Sequence, residues 1–475
     1  MQYIIEGHNH EYETQTIIQV FRPNEKYARV REQSEKFCVL SRIDSGSAYA
    51  AIYENGSAVA ENAELLRDTS EKEAQRAVKT AIFRAFCEYD NVTQPWGIMT
   101  GIRPAKIIND FWREGLSEAE TRTRLTEDFL LSDKKIELAI TVAKNEAKVL
   151  AGISQNENAL YVGVPFCPSK CLYCSFTSYP AARYEKKMDV YFAAFEKEMK
   201  CLGDNSQNDN TTIIYVGGGT PSALNDYYFE KLLAVIAENF PLNAANEFTV
   251  ESGRPDSTTI EKLKIMKRYG VTRVSVNPQT LNEQTLTRIG RAHTPREFFT
   301  AYENAGNAGF LDINVDLIVG LPGESLADIE NTLRQVEKLS PSSVTVHTLA
   351  VKRAARLNRS LSENTLSSAE EVEKALALAE KYTKSMGLRP YYMYRQKNML
   401  GNFENVGYCR DGFECAYNVC AMEEVISVLA AGAGAVTKIV SHGSPGNKIT
   451  RLFNPKGIED YISRIDEIIK EKSEL

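Results

Sequence analysis

A chain of 475 residues can hold two or three domains and a large buried core. Its 56 Lys and Arg against 63 Asp and Glu leave a net charge of −7, which argues against general nucleic-acid or membrane-surface binding. No apolar run approaches the roughly 20 residues that span a bilayer. The opening MQYIIEGHNHEYET has no basic stretch followed by an apolar core, so a signal peptide is not expected. The nine cysteines are then expected in a reducing cytoplasm, where clustered thiols bind metal or do chemistry.

In chain order, YIIEG and TQTIIQVF predict two strands near the N-terminus. A helix follows, capped by Ser70 with Glu73 three positions on. Its apolar face is Ala74, Val78, Ala81, Ile82, Ala85 and Phe86. PWGIMTGIRPAKI, residues 95–107, is rich in turn formers and precedes further helices. Nothing over residues 1–150 has catalytic spacing, and an accessory α+β domain is expected there.

The stretch VGVPFCPSKCLYCSFTSY, residues 162–179, puts Cys167, Cys171 and Cys174 within eight positions. Structural zinc takes four protein ligands, yet no fourth Cys is near and the next His is His293. A 4Fe-4S cluster held by three thiolates leaves one iron open to a small molecule. Six β-branched runs recur from here on: residues 159–164, 211–216, 247–251, 271–276, 312–320 and 342–349. Helical patterns such as DYYFEKLLAVIAENF separate them. Repeated strand–helix alternation predicts parallel strands with right-handed crossovers, hence an α/β barrel or open sheet. Ligands of such sheets sit at the carboxyl ends of the strands, which is where the three cysteines fall. The second run enters GGGTPSAL, Gly217 to Leu224, whose glycines allow close backbone approach and can leave N–H groups free for an anion.

Past the sixth strand, VKRAARLNR offers Lys352, Arg353, Arg356 and Arg359. YRQKN adds Arg395 and Lys397 beside Tyr391, Tyr392 and Tyr394. Such cations suit a carboxylate-rich ligand, although most charge runs are solvated faces. After residue 365 the pattern is mostly helical, with SSAEEVEKALALAEKYTKSMG ending at Gly387. Cys409, Cys415 and Cys420 are loosely spaced and have no fourth partner, so packed or surface thiols are expected, not a second cluster.

Tyr161, the three cysteines, Tyr173 and GGGTP together resemble the radical S-adenosylmethionine (SAM) superfamily. Within it the chain is similar to the oxygen-independent coproporphyrinogen III oxidase family. Glu251 matches an acidic residue ending the third strand, Gln279 in RVSVNPQT a Gln after the fourth, and Arg291 in RIGRAHT an Arg twelve residues on. DLIVGLPGE, Asp316 to Glu324, matches the fifth-strand motif. GRPDS, NPQT, TVHTLAVKRA and YYMYRQKNMLGNFENVGY resemble the HemZ-type coproporphyrinogen dehydrogenases. The fold this resemblance implies is a partial (β/α)6 radical SAM barrel over residues 155–350. It is flanked by the N-terminal α+β domain (1–150) and a mostly helical region (351–475) that binds or covers the substrate.

The resemblance also implies a chemistry. Cys167, Cys171 and Cys174 would hold a 4Fe-4S cluster whose open iron binds the amino and carboxylate groups of SAM. Gly217, Gly218 and Gly219, with Thr220, would contact the methionyl part, and Arg291 would pair with its carboxylate. Tyr161, Glu251, Gln279 and Asp316 would complete the cofactor site. One electron, from a donor such as flavodoxin or ferredoxin, would cleave SAM to a 5′-deoxyadenosyl radical that takes a hydrogen from a propionate. Two such decarboxylations turn coproporphyrinogen III into protoporphyrinogen IX in haem biosynthesis. Arg353, Arg356 and Arg395 are the expected propionate partners. A haem chaperone, or a radical methyltransferase or ring-opening enzyme acting on a tetrapyrrole, are alternatives with the same motifs.

Overall fold

A computed structural model describes the chain except for residues 24, 33–35, 102, 206–209, 362–363, 444–446 and 475. Residue 102 of the 95–107 segment therefore lies outside the described residues. The chain divides into two compact units, Met1–Ala143 with Arg395–Phe403, and Lys144–Tyr394 with Glu404–Leu475.

The first unit contains a five-stranded sheet made of β1 (Gln2–Glu6), β2 (Ala28–Arg29), β3 (Phe37–Asp44), β4 (Ser47–Glu54) and β5 (Ser57–Leu65), ordered β2-β1-β3-β4-β5. Ser45–Gly46 and Asn55–Gly56 all have positive φ, which suits the two-residue turns that close the β3–β4 and β4–β5 hairpins. The helix Glu71–Asp90 starts at Ser70, whose side chain accepts the Glu73 N–H. The expected strand TQTIIQVF is instead part of a helix, Glu11–Phe21. Thr14, Ile17, Ile18 and Phe21 are spaced i, i+3, i+4, i+7 and all four are buried. Phe21 stacks on Phe86 of the second helix at 4.9 Å, so a helical stripe facing the core outweighs β-branched composition.

In the second unit the strands are β6 (Asn158–Val164), β7 (Phe166–Cys167), β8 (Tyr179–Pro180), β9 (Thr211–Gly218), β10 (Glu247–Glu251), β11 (Arg273–Ser275), β12 (Asp312–Val319), β13 (Ser343–Thr348), β14 (Arg389–Tyr394), β15 (Asn405–Cys409), β16 (Ser427–Ala431), β17 (Val436–Ser441) and β18 (Lys448–Phe453). Eleven of them form one sheet, ordered β14-β15-β13-β12-β11-β10-β9-β6-β16-β17-β18. From β13 to β6 every pairing is parallel, and these are the six expected strands. Helices lie in each connection, among them Met188–Gly203, Asp226–Asn239, Ile260–Arg268, Pro295–Asn307 and Leu326–Leu339. Asn225, Thr259, Thr294 and Ser325 cap four of them by accepting an N–H of the first turn.

The region after residue 365 is not mostly helical. One long helix, Ala369–Ser385, ends before Gly387 at φ +73° as expected, but five strands follow among the described residues. β15 and β14 extend the sheet antiparallel beyond β13, while β16 runs parallel to β6 on the other side. These strands are short, and β15 and β16 join the sheet through residues far away in sequence, on β13 and β6, so local periodicity does not expose them. They belong to the same unit as the parallel strands, and no division falls at 350/351. No helix of the described residues is long and apolar enough to cross a membrane.

Candidate functional site at the strand ends

β6 leads through Pro165 into the cysteine loop. Its two ends are tied by the β7–β8 ladder, Phe166 to Tyr179 and Cys167 to Pro180. In the middle the Leu172 N–H donates to the Ile289 carbonyl at 2.9 Å. The Leu357 N–H donates to the Leu172 carbonyl, also at 2.9 Å. Cys171 is buried, while Cys167 and Cys174 are half-buried. Burial pushes the Cys167 thiol up to about 11 and raises that of Cys174, so both are protonated at pH 7 until a metal displaces the proton. Among the described residues no three His, Cys, Asp or Glu side chains gather tightly enough for a single metal ion.

The glycine loop after β9 is bonded directly to this segment. The Gly219 N–H donates to Val164 O and the Thr220 N–H to Phe166 O, both at 2.7 Å. These two N–H groups are therefore taken, and the anion cradle expected from free donors is not formed by them. Close approach is what the glycines provide. A Cβ on Gly219 would sit 2.4 Å from Phe166 O, and one on Gly217 2.8 Å from the Glu251 carboxyl carbon. Gly218 has φ +102°, a conformation that side-chain-bearing residues rarely adopt. The Thr220 hydroxyl lies 3.5 Å from the Cys167 sulfur.

Two carboxylates stand on β10 and β12, with β11 between them. Glu251 ends β10 and accepts the Tyr215 hydroxyl at 2.6 Å. Burial pushes its carboxyl up to about 7; the Tyr215 hydrogen bond opposes this and the Asp316 charge adds to it. Asp316 in β12 accepts Asn277 and Asn314 side-chain N–H groups at 2.7 Å each, with His347 Nε2 at 3.8 Å. Burial works against its charge, but His347 and the hydrogen bonds outweigh it and hold the pKa below the usual value. Tyr161, in β6, stacks with Tyr215 and Tyr417, which themselves lie 4.3 Å apart.

Gln279 has φ +68° and is held as a bridge, its N–H on the Asp316 carbonyl and its carbonyl accepting from Ile318. Its Oε1 is buried with no hydrogen-bond partner among the described residues. Arg291 is buried too: its guanidinium donates to the carbonyls of Gly253 and Asn277 at 2.7 and 2.6 Å and to the Tyr173 hydroxyl at 3.3 Å, while its Nε has no partner among the described residues. A strained backbone and buried unpaired polar atoms at strand ends are features of ligand sites. Sequence reasoning missed Arg254, Asn277, His347 and Tyr417 as members of this neighbourhood. Of these Arg254, Asn277 and His347 fall in quoted motifs beside a strand end, whereas Tyr417 lies in none.

The basic segment differs from expectation. Arg353 lies in a turn and only Arg356 enters a helix, the short 3-10 turn Arg356–Arg359, so the two do not share one helical face. Both are exposed. Lys352 is half-buried, with its ammonium 5.6 Å from the ring centre of Phe176 in the cysteine loop. Arg395 belongs to the first unit, not to this one. It is 4% exposed, its guanidinium donates to the carbonyls of Met99 and Asn402, and it lies over Trp96. Those partners account for its charge within that unit. Cys409, Cys415 and Cys420 are buried in packing, with the Cys415 thiol donating to Glu247 at 3.3 Å.

The Glu251 environment yields a stability prediction. A carboxyl held at about 7 in the folded chain and at 4.5 when unfolded keeps its proton more tightly when folded. Its contribution to stability is therefore complete below about 4.5 and is lost as pH rises through about 7. Glu251→Gln, which cannot ionise, should leave thermal stability near wild type at pH 5 and raise it at pH 8, by up to about 3 kcal/mol. Scanning calorimetry of the metal-free protein at both pH values checks this; an equal change at both would mean that Glu251 is not the titrating group.

A family model described as the radical SAM superfamily matches residues 161–336. The oxygen-independent coproporphyrinogen-III oxidase-like protein HemZ of Bacillus subtilis (strain 168) is 37% identical over 414 residues, 85% of this chain and 82% of that protein. The heme chaperone HemW of the same organism is 30% identical over 309 residues, 65% of this chain and 76% of its own length. Among solved structures, the radical SAM enzyme coproporphyrinogen III oxidase (HemN) from Escherichia coli shares the fold. Its TM-score is 0.52 at 21% identity, over 69% of this chain and 73% of that one. Identity of the HemZ degree across most of both lengths means that this chain belongs to the oxygen-independent coproporphyrinogen III oxidase-like family of the radical SAM superfamily.

Proposed function

We propose that the chain is a SAM- and 4Fe-4S-dependent dehydrogenase that decarboxylates two propionates of coproporphyrinogen III to give protoporphyrinogen IX. The residues at the strand ends fit the two cofactors. Three thiols share one loop, glycines beside them admit a ligand against the backbone, and Gln279 Oε1 and Arg291 Nε are buried without partners among the described residues. Cys167, Cys171 and Cys174 would hold the cluster. Gly217, Gly218 and Gly219 would let the SAM methionyl group lie close, with Thr220 and Tyr161 at the margins. Arg291 would face its carboxylate, and Glu251, Gln279 and Asp316 would take its hydroxyl and amino groups. When bound, the cluster and SAM supply a reductively generated radical that removes a hydrogen atom from a propionate; loss of carbon dioxide and one further electron leaves a vinyl group.

This chain's own part is binding and positioning. The observation that carries the substrate assignment is the Leu357 N–H bond to the Leu172 carbonyl, which fastens the basic turn to the loop between Cys171 and Cys174. Exposed Arg353, Arg356 and Arg359 belong to that turn, and they would draw the carboxylates of a tetrapyrrole. Electrons would come from a low-potential donor such as flavodoxin or ferredoxin. The heme chaperone relative supports a second reading, in which the same surface holds haem without turnover.

Anaerobic titration separates the two. Coproporphyrinogen III should bind more tightly than haem. The Arg353→Gln/Arg356→Gln double variant should weaken that binding by roughly ten- to a hundredfold, since hydrogen bonds to charged groups contribute about 1.5–3 kcal/mol and exposure reduces them. Iron content and SAM affinity should be unchanged. Preferential haem binding, indifferent to both arginines, would overturn the dehydrogenase reading.

A further inference from the structure

Arg254 lies just after β10 and is 2% exposed. One edge of its guanidinium faces the cysteine loop: Nη1 donates to Ser169 Oγ at 3.2 Å, to the Ser169 carbonyl at 3.4 Å and to the Cys171 sulfur at 3.8 Å. The other edge forks onto the Asp256 carboxylate, Nε and Nη2 donating at 2.9 and 2.8 Å. The side chain is thus clamped between an acid and the middle cysteine. Cys167 is different, because its sulfur faces the neutral Thr220 hydroxyl.

We propose that the Arg254 hydrogen bond to the Cys171 sulfur, balanced by Asp256, sets the reduction potential of a 4Fe-4S cluster ligated there. This rests on reading the three cysteines as the cluster ligands. Reduction adds one negative charge to the cluster, and a buried cationic donor on a ligand sulfur favours that charge more than it favours the oxidised state. Burial keeps water and salt from screening the effect. Asp256 acts in the opposite sense, since its negative charge offsets the guanidinium. Arg254 is therefore a positioning residue acting through Cys171, with Asp256 setting the size of its effect.

The two substitutions should move the potential in opposite directions. Arg254→Met removes the cation and should make the one-electron reduction equilibrium about tenfold less favourable, a fall of about 59 mV. Asp256→Asn leaves the cation uncompensated and should shift the potential upward. Iron and sulfide content of anaerobically purified protein comes first, followed by a redox titration read by electron paramagnetic resonance. If Arg254→Met fails to fold, Asp256→Asn alone still carries the test. A wild-type protein without iron would overturn the reading of the cysteines, and this inference with it. A loaded wild-type protein whose potential is unmoved by Asp256→Asn, or moved the same way by both variants, would overturn the inference and leave that reading standing.

Discussion

Replacing any one of Cys167, Cys171 or Cys174 by Ala is expected to abolish the iron content of the protein and its brown absorbance. Three thiolates are the fewest that hold this type of cluster with one iron open, so no ligand can be spared. The loop around them, residues 162–179, offers no substitute, because it contains no other Cys and no His, Asp or Glu. The fold should survive the loss. Cys167 and Cys174 are half-buried in a loop whose shape is kept by backbone bonds to Ile289 and Leu357 and by the β7–β8 ladder. Circular dichroism should therefore stay near that of the wild-type apoprotein while iron falls from about four per chain to near zero. A triple replacement of Cys409, Cys415 and Cys420 by Ser should leave the iron content unchanged in whatever protein folds, since these thiols are buried in packing. Normal iron in any of the first three variants would contradict the ligand assignment; loss of about half the iron in the triple variant would revive a second cluster.

The second large effect concerns the glycine loop, where adjacent positions should fail in different ways. Gly218→Val places a branched side chain at φ +102°, with the new Cβ 3.2 Å from the Val164 backbone and 3.3 Å from the Tyr161 hydroxyl. The crowding is moderate, so the cluster should persist, but the space needed by a ligand would be filled. SAM binding and reductive SAM cleavage should fall at least a hundredfold, about 2.8 kcal/mol at 1.4 kcal/mol per tenfold. Gly219→Val is more severe, because a Cβ 2.4 Å from Phe166 O and 2.8 Å from Val164 O must push the backbone leading into Cys167. This variant should lose iron as well as SAM binding. Isothermal titration with SAM, alongside iron analysis, distinguishes the two outcomes. Wild-type SAM affinity in Gly218→Val would reduce the loop to a turn; full iron content in Gly219→Val would show that the contact with Phe166 does not shape the cysteine loop.

Much of the site-bearing unit is legible in the sequence because its six parallel strands are short β-branched runs set between helical patterns, and burial on both faces demands such runs. DINVDLIVG, for instance, becomes β12 with little ambiguity. The placement of the cysteines after β6 and of Glu251 at the end of β10 follows from the same alternation. TQTIIQVF misleads because its composition is β-like while its spacing is helical, and packing against Phe86 decides in favour of spacing. Among the strands after residue 385, β15 and β16 depend on partners far away in sequence, β13 and β6, which no local window contains. The same limit applies to side chains. That the N–H groups of Gly219 and Thr220 are taken, that Arg395 is held by Met99 and Asn402, and that Arg254 reaches Cys171 are tertiary facts. Spacing identifies which residue types are present near a strand end, but the third dimension decides which of them still have a donor or acceptor to offer.

The most direct test of the central claim is anaerobic turnover of the reconstituted wild-type protein with coproporphyrinogen III, SAM and a one-electron reductant, followed by mass spectrometry of the tetrapyrrole and of the nucleoside products. Decarboxylation predicts successive losses of two carboxyl groups, each accompanied by 5′-deoxyadenosine. Reductive cleavage of SAM with the tetrapyrrole recovered intact, methylated or ring-opened would contradict it.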